Sequence, residues 1–423
     1  MKKTDVLIVG AGACGLMLAR KLALSGKSVR ILEARDRVGG RIWPQPQSLF
    51  GYIADAGAEF VHGEAPVTKG LIAEAGLTFT VTEGEMWSMR DGAPTRAQNV
   101  MSMQDLLTEK LKELQEDVPI TEFLERYFKG KEFEELCESV IKMVEGYDAA
   151  DPKRMSTFSL RDEWLGGAEW KQGKIREGYA GLLSYLENEC KRLGVEIQLD
   201  AHVASVSLRD DDVAVFCKDA NFYETQQVVV TAALPTISAI QFTPPIPEKI
   251  EAIQKMGYGS AIKLLLKFTD AWWEGALGQD LSKMTFMLCN DDVRTWWTQH
   301  PEKQTTLTGW MAGPNTQEYA SATDDELLEL AFVSLENTFK VSNDILRKKL
   351  VASTVVNWPK DPLTLGAYSY TTPETAKARL ELTTPVSGRL YFAGEALTFG
   401  KGASTVEGAL SSGLESAERI LGI

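Results

Sequence analysis

Three glycines and one glutamate near the start of the chain are spaced to hold a phosphate-bearing ligand. Gly10-Ala11-Gly12-Ala13-Cys14-Gly15 reads GxGxxG directly after the apolar run Asp5 to Val9 and directly before the helical stretch Leu16 to Ser25. In such a strand, turn and helix, Gly10 permits the turn and Gly12 lets a pyrophosphate approach the backbone. Gly15 lets helix and strand pack closely, and Ala13 and Cys14 start the helix whose positive end attracts the phosphates. A second strand, Ser28 to Leu32, leads into Glu33, eighteen residues after Gly15, where a carboxylate accepts hydrogen bonds from ribose hydroxyls. The unit predicts dinucleotide binding and leaves NAD and FAD both open; the bland alternative is a structural turn. A second candidate is Lys263, in the strand-like run Gly257 to Phe268. Ile262, Leu264, Leu266 and Phe268 alternate on one face and Lys263 shares the other with Lys267, so pattern alone reads Lys263 as a surface residue.

The residues after Glu33 carry a resemblance. Glu33-Ala34-Arg35-Asp36-Arg37-Val38-Gly39-Gly40-Arg41 resembles the RxGGR segment of the flavin amine oxidases, the FAD-dependent family that includes monoamine and polyamine oxidases, L-amino acid oxidases and flavin-dependent histone demethylases. The resemblance implies that Arg35, Gly39, Gly40 and Arg41 continue the pyrophosphate site beside Ala34. It also implies that Gly57, Ala58, Glu59 and Phe60 pass close to the flavin, and that the backbone of Val203 contacts adenine. A solvated basic loop would explain the arginines but not Gly39-Gly40.

The same resemblance reverses the reading of Lys263, because Gly259-Ser260-x-x-Lys263 matches the strand whose lysine holds a water against flavin N5. Trp358 and Tyr368 take positions in the substrate pocket, Tyr368 as one wall of an aromatic pair flanking the substrate amine. Ala367, before Tyr368, stands where mitochondrial monoamine oxidases carry a flavin-bonded cysteine, so FAD here is expected to be non-covalent. Gly394, Glu395, Thr405 and Val406 match the strand and helix that close over the flavin, and the positive end of that helix favours the reduced, negatively charged ring. Thr405 falls at the second aromatic wall and is not aromatic. The cage is therefore half missing, which resembles the histone demethylase branch at that position and suits a larger or more polar amine.

Positioning these residues demands a chain that returns twice to one nucleotide-binding sheet. With 423 residues, two domains are expected. The resemblance implies an α/β fold: a discontinuous Rossmann-like FAD-binding domain, 1–70, 172–256 and 361–423, and an α+β substrate domain, 71–171 and 257–360, with a mixed or antiparallel sheet and helices. Strand-like runs at Val195 to Leu199, Val203 to Leu208, Val213 to Lys218 and Gln227 to Ala232 fit the return to the sheet. Phe242 to Pro247 reads as a crossover back to the substrate domain. From Leu71 to about Met143 the pattern predicts amphipathic helices, such as Leu106 to Glu116 and Phe133 to Val144. In Trp164-Leu-Gly-Gly-Ala-Glu-Trp170, core packing is the commoner fate of the tryptophans and a substrate wall the rarer one.

A net charge of -14 argues against nucleic acid or an anionic membrane as main partner and is compatible with a cationic small substrate. The 5 cysteines are scattered, with no CxxC pair and no metal-spaced cluster, so no metal and a reducing compartment are expected. No apolar run approaches the roughly 20 residues that span a bilayer, and the first residues lack a signal-peptide core, so a cytoplasmic protein is expected, monomeric or homodimeric. The activity implied is oxidation of an amine to an imine by hydride transfer to flavin N5, with O2 as acceptor and hydrogen peroxide as product. Two rivals remain: a desaturase or porphyrinogen-oxidase-like dehydrogenase, which the lysine strand and the Trp358 to Tyr368 spacing oppose, and a flavoprotein without catalysis.

Overall fold

The apolar, β-branched run at the N-terminus forms a buried strand, Thr4–Val9, between two parallel neighbours, Val29–Leu32 and Phe222–Val230. A computed structural model describes residues 3–90, 92–96, 103–166, 172–400 and 402–423. Its eight-stranded sheet runs Gln241–Thr243, Val203–Leu208, Val213–Cys217, Phe222–Val230, Thr4–Val9, Val29–Leu32 and Glu196–Gln198, with Leu390–Phe392 parallel to the end of Phe222–Val230. Strands far apart in sequence are thus neighbours, as a chain that leaves the sheet and returns requires. The fold is α/β with mixed sheets, as expected.

Helices cover the face of this sheet that carries Val6, Ile8 and Ile31. Ala13–Leu24, Gly178–Arg192 and Val406–Leu421 bury their apolar sides there in one core. Two close approaches need glycine. A Cβ on Gly15 would lie 2.1 Å from the Gly10 carbonyl oxygen, and one on Gly413 would lie 2.7 Å from the Cys14 carbonyl oxygen. The first keeps the nucleotide turn tight, and the second lets the last helix cross the first.

A second sheet of seven strands is ordered Leu350–Asn357, Ala261–Phe268, Thr306–Ala312, Thr295–Trp297, Met284–Leu288, Glu85–Arg90 and Ala93–Arg96. The last two strands correct the expectation of helices throughout 71–143. Helices do form at Gln104–Glu113, Ile120–Tyr127 and Glu134–Gly146, but Phe79–Val81, Glu85–Arg90 and Ala93–Arg96 are strands. Glu85–Arg90 pairs with Met284–Leu288 on one side and Ala93–Arg96 on the other, and this pairing overrides a weak helical pattern. Trp164 packs partly buried against the helical core of this region, and Trp170 lies outside the described residues.

Ala261–Phe268 is a central strand, and this decides the environment of Lys263. One face, with Ile262, Leu264 and Leu266, joins the core beneath the seven-stranded sheet. The other face is covered by the loop that carries Phe50, Ala54 and Ala56, which packs on Leu265, Val356 and Trp358. The surface reading of Lys263 from alternation fails for that reason: Lys263 is 1% exposed.

Candidate active site

At the nucleotide end, local geometry follows the glycine pattern. Glu33 is buried; one carboxylate oxygen accepts the Ala11 N–H at 2.7 Å and the other accepts the Arg35 N–H at 2.9 Å. The Gly39 N–H donates to the Ala11 carbonyl at 2.8 Å, so Gly39-Gly40 lies against the turn. No side chain caps the helix Ala13–Leu24, which leaves its first-turn N–H groups for an anion. A Cβ on Gly12 would meet only the Gly39 carbonyl oxygen, at 4.0 Å, so the backbone is open to a close ligand there. The Arg35 guanidinium pairs with Asp361 at 2.8 Å and also donates to Thr364.

At the other end Glu59 gathers the polar groups. Its buried carboxylate accepts from Lys263 Nζ at 2.7 Å, Lys174 Nζ at 2.6 Å, Gln299 Nε2 at 3.0 Å and Trp297 Nε1 at 3.1 Å. Burial alone would raise the Glu59 pKa, but Lys174 and Lys263 outweigh it and hold the group ionised, well below the usual carboxylate range. Lys263 Nζ also donates to the carbonyls of Asp55 at 2.6 Å and Gly57 at 3.1 Å. An ammonium has three protons, and these contacts commit all of them to the protein. Beside them the Asp55 carboxyl is raised to about 7 by burial and by the Glu59 charge.

Aromatic rings line this end. Phe60 lies 5.8 Å from Phe286 and 5.9 Å from Trp297, and Trp297 lies 6.0 Å from Trp310, centroid to centroid. The Tyr368 hydroxyl donates to the Tyr147 carbonyl at 2.7 Å, which fixes the ring. Trp358 is buried edge-on to Trp43. Burial lowers the His62 pKa to about 4, so its imidazole stays neutral.

The C-terminal segment joins the two ends. Arg41 Nη1 donates to Glu395 Oε1 at 2.7 Å and to the Ala367 carbonyl at 2.9 Å, and Ser369 Oγ donates to Glu395 Oε2 at 2.6 Å. Thr405 caps the helix Val406–Leu421 by accepting the Gly408 N–H at 3.2 Å, and its hydroxyl donates to the Gly402 carbonyl.

One cavity of about 2800 Å³ runs from the nucleotide end to the aromatic end. It is lined by Gly10, Gly12, Ala13, Cys14, Glu33, Ala34, Arg35, Gly39, Gly40 and Arg41, by Gly57, Ala58, Glu59 and Phe60, and by Val203, Gly394, Glu395, Thr405 and Val406. Lys263, Trp358 and Tyr368 line it too. Gly15 does not, and acts through packing. Lys174, Trp297, Gln299 and Asp55 were not anticipated. Trp296-Trp297 in a strand was a usable signal for one of them; nothing local marks Lys174, whose partner is 115 positions away.

The family model for flavin containing amine oxidoreductases matches residues 13–421. The chain belongs to that family. As a flavin amine oxidoreductase it is 28% identical to lysine-specific histone demethylase 2 of Homo sapiens, across 98% of this chain and 53% of that protein. It is 27% identical to polyamine oxidase 4 of Oryza sativa subsp. japonica, across 98% of this chain and 88% of that one. The chain thus spans about half the length of the human demethylase it matches. Among solved structures, wild-type putrescine oxidase bound to putrescine superposes with a TM-score of 0.82 at 20% identity, covering 100% of each chain. Cyclohexylamine oxidase from Brevibacterium oxydans gives 0.80 at 20% identity over 99% of each. At that identity these two establish the fold.

The flavin amine oxidoreductase cofactor is FAD, and the residues present fit it. The uncapped helix start, the open backbone at Gly12 and the carboxylate of Glu33 suit a pyrophosphate and a ribose. The cavity continues from there to the aromatic end, where a ring system can stack. Among the described residues no helix is long and apolar enough to cross a membrane, and no group of three or more His, Cys, Asp or Glu side chains is placed to hold a metal.

Proposed function

We propose that this protein oxidises a primary or secondary amine to an imine, with FAD held non-covalently and dioxygen as the final acceptor. The observation that carries the reading is the single cavity that joins the nucleotide turn to Lys263, Tyr368 and the aromatic wall. Bound FAD supplies the chemistry, taking a hydride from the carbon next to nitrogen and passing two electrons to O2, which with two protons becomes hydrogen peroxide. Ala367 at the former cysteine position, with only a methyl group, supports non-covalent attachment.

The chain's own residues bind, orient and dry the site. Tyr368 presents a fixed ring to the amine, and Phe60, Phe286, Trp297 and Trp310 exclude water. Trp358 supports the wall from behind. Thr405, small and polar, leaves room beside Tyr368 for a long or polar amine. The exposed carboxylates Glu64 and Glu135 line the same cavity, with Glu138 paired to Lys142 and Asp162 paired to Arg161 beside them, and Glu64 and Glu135 favour a substrate with a second cationic nitrogen, a di- or polyamine. This assignment goes with a cytoplasmic protein and two domains, 1–70, 172–256 and 361–423 for FAD, 71–171 and 257–360 for substrate. Support for the division comes from the eight-stranded sheet, built from strands of the first set, and the seven-stranded sheet, built from strands of the second; the small sheet of Val61–His62, Gln172–Ile175 and Phe79–Val81 joins the two sets.

The test is anaerobic bleaching of the purified yellow protein by a panel of monoamines, diamines, polyamines, amino acids and N-methylated lysine peptides. Reduction by di- or polyamines first is the expected result. Bound FAD that no amine reduces sinks the proposal, and FAD that stays on the chain after acid denaturation sinks its non-covalent part. The demethylase relatives and Thr405 make methylated lysine the second reading, and the same panel separates it.

A further inference from the structure

Glu59 is shared by two lysines, and the Asp55 carboxyl lies among the same charges. Lys263, on the central strand Ala261–Phe268, and Lys174, on Gln172–Ile175, both donate to it, and the indole of Trp297 and the amide of Gln299 complete its shell. Its oxygens accept from protein donors that reach it from two strands and the segment Trp297 to Gln299. The Lys263 ammonium donates to Glu59, Asp55 and Gly57, and these three acceptors set its position. Lys263, Glu59 and Trp297 nonetheless line the cavity where the flavin ring fits.

We propose that Glu59 is a positioning residue that fixes Lys263 and Lys174 as one rigid charged cluster, and that the two cations of this cluster set the reduction potential of bound FAD. The inference rests on the flavin amine oxidation proposed above and names what tunes it. A cation held in a water-poor wall acts over distance on charge that develops on a reduced flavin, without needing contact or proton transfer. The pairing fixes its place: a free lysine would sample many rotamers, whereas this ammonium has three partners at set positions.

The experiment is the midpoint potential of bound FAD, measured by equilibration with a reference dye, in the parent and four variants. A fixed charge predicts signs. Lys263→Met and Lys174→Met each lower the potential, Glu59→Gln raises it, and Lys174→Arg, which keeps the charge, stays near the parent. A water-holding or merely structural role predicts no shift for Lys174→Met, whose side chain is outside the cavity lining. Unchanged potentials in both Lys174→Met and Glu59→Gln overturn the proposal, as does a downward shift in Glu59→Gln with Lys174→Met unchanged. If Glu59→Gln does not fold, the Lys174 pair decides alone, since that lysine is partly exposed. The positioning part is read on FAD-free protein, where Glu59→Leu lowers the unfolding midpoint far more than Lys174→Met. Parent FAD that a dye reduces and no amine does would fail the functional reading and leave these signs measurable.

Discussion

Arg41 Nη1 lies 2.7 Å from Glu395 Oε1, an ion pair that joins residues 354 positions apart. It pins the Gly39-Gly40-Arg41 segment to the turn before the last helix, with Ser369 on the other carboxylate oxygen. Glu395 is buried and Arg41 mostly so, and removing the cation strands a buried negative charge. Arg41→Ala should therefore cost about 3 kcal/mol or more of stability, and Glu395→Gln, which keeps an acceptor, about 1 to 2. Urea unfolding with and without added FAD checks this: the variants should also lose FAD on dilution when the parent retains it, and equal stability of all three would refute it.

Asp55 makes stability depend on pH in a direction opposite to most carboxylates. Burial and the neighbouring Glu59 raise its pKa from 3.8 to about 7, against the opposing pull of Lys263 and Lys174. Below pH 4 the folded and unfolded chains both carry the proton and the group costs nothing. Between about 4 and 7 the unfolded chain ionises first, so folding is progressively disfavoured, and the whole penalty, up to about 4 kcal/mol, stands above 7. Asp55→Asn keeps the acceptor for the Tyr179 N–H and removes the ionisation. The gain in melting temperature of Asp55→Asn over the parent should grow from pH 4 to 7 and then level off; a gain independent of pH would show that Asp55 is ionised throughout.

His62 should leave the pH dependence of turnover untouched. It lines the cavity 3.4 Å from the Tyr147 hydroxyl, and burial pulls its pKa down to about 4, so it carries no charge across the working range. Flavin reduction should rise with pH along the substrate's own amine titration, because only the neutral amine gives up hydride. Stopped-flow reduction with two amines of different basicity measures this: the limb should move with the amine and survive His62→Gln. A limb near 6 that vanishes in His62→Gln would assign it to the histidine.

Thr405 combines a helix cap with a place in the pocket. Its hydroxyl oxygen accepts the Gly408 N–H while its proton goes to the Gly402 carbonyl. Thr405→Val should cost about 1 kcal/mol through the lost cap, and Thr405→Ser should restore it. Thr405→Tyr should supply the missing aromatic wall, lowering KM for a short arylalkylamine and raising it several-fold for a polyamine. Steady-state kinetics on both substrates checks this, and parallel changes would remove Thr405 from the specificity pocket.

Much was legible locally. The turn Gly10 to Gly15, Glu33 and Gly39-Gly40 lie on one short stretch whose spacing fixes their geometry, so chemistry and conformation could be read together. The strands Val203–Leu208 and Val213–Cys217 and the helix from Val406 have periodic patterns of their own. The strands Glu85–Arg90 and Ala93–Arg96 did not, because pairing with each other and with Met284–Leu288 stabilised them rather than their composition.

Lys263 shows where reading the chain alone stops. Its type and its place on a strand are properties of twelve consecutive residues, Gly257 to Phe268. Its burial is not. It follows from a loop some two hundred positions earlier folding over the second face of the strand, and its charge is met there by Glu59. Alternation records which residues share a face but not whether another segment covers that face. The sequence by itself determined the nucleotide turn and the order of elements; only the tertiary structure brought Glu59, Lys174 and Lys263 together, because a buried charge is stabilised by partners that chain proximity does not supply.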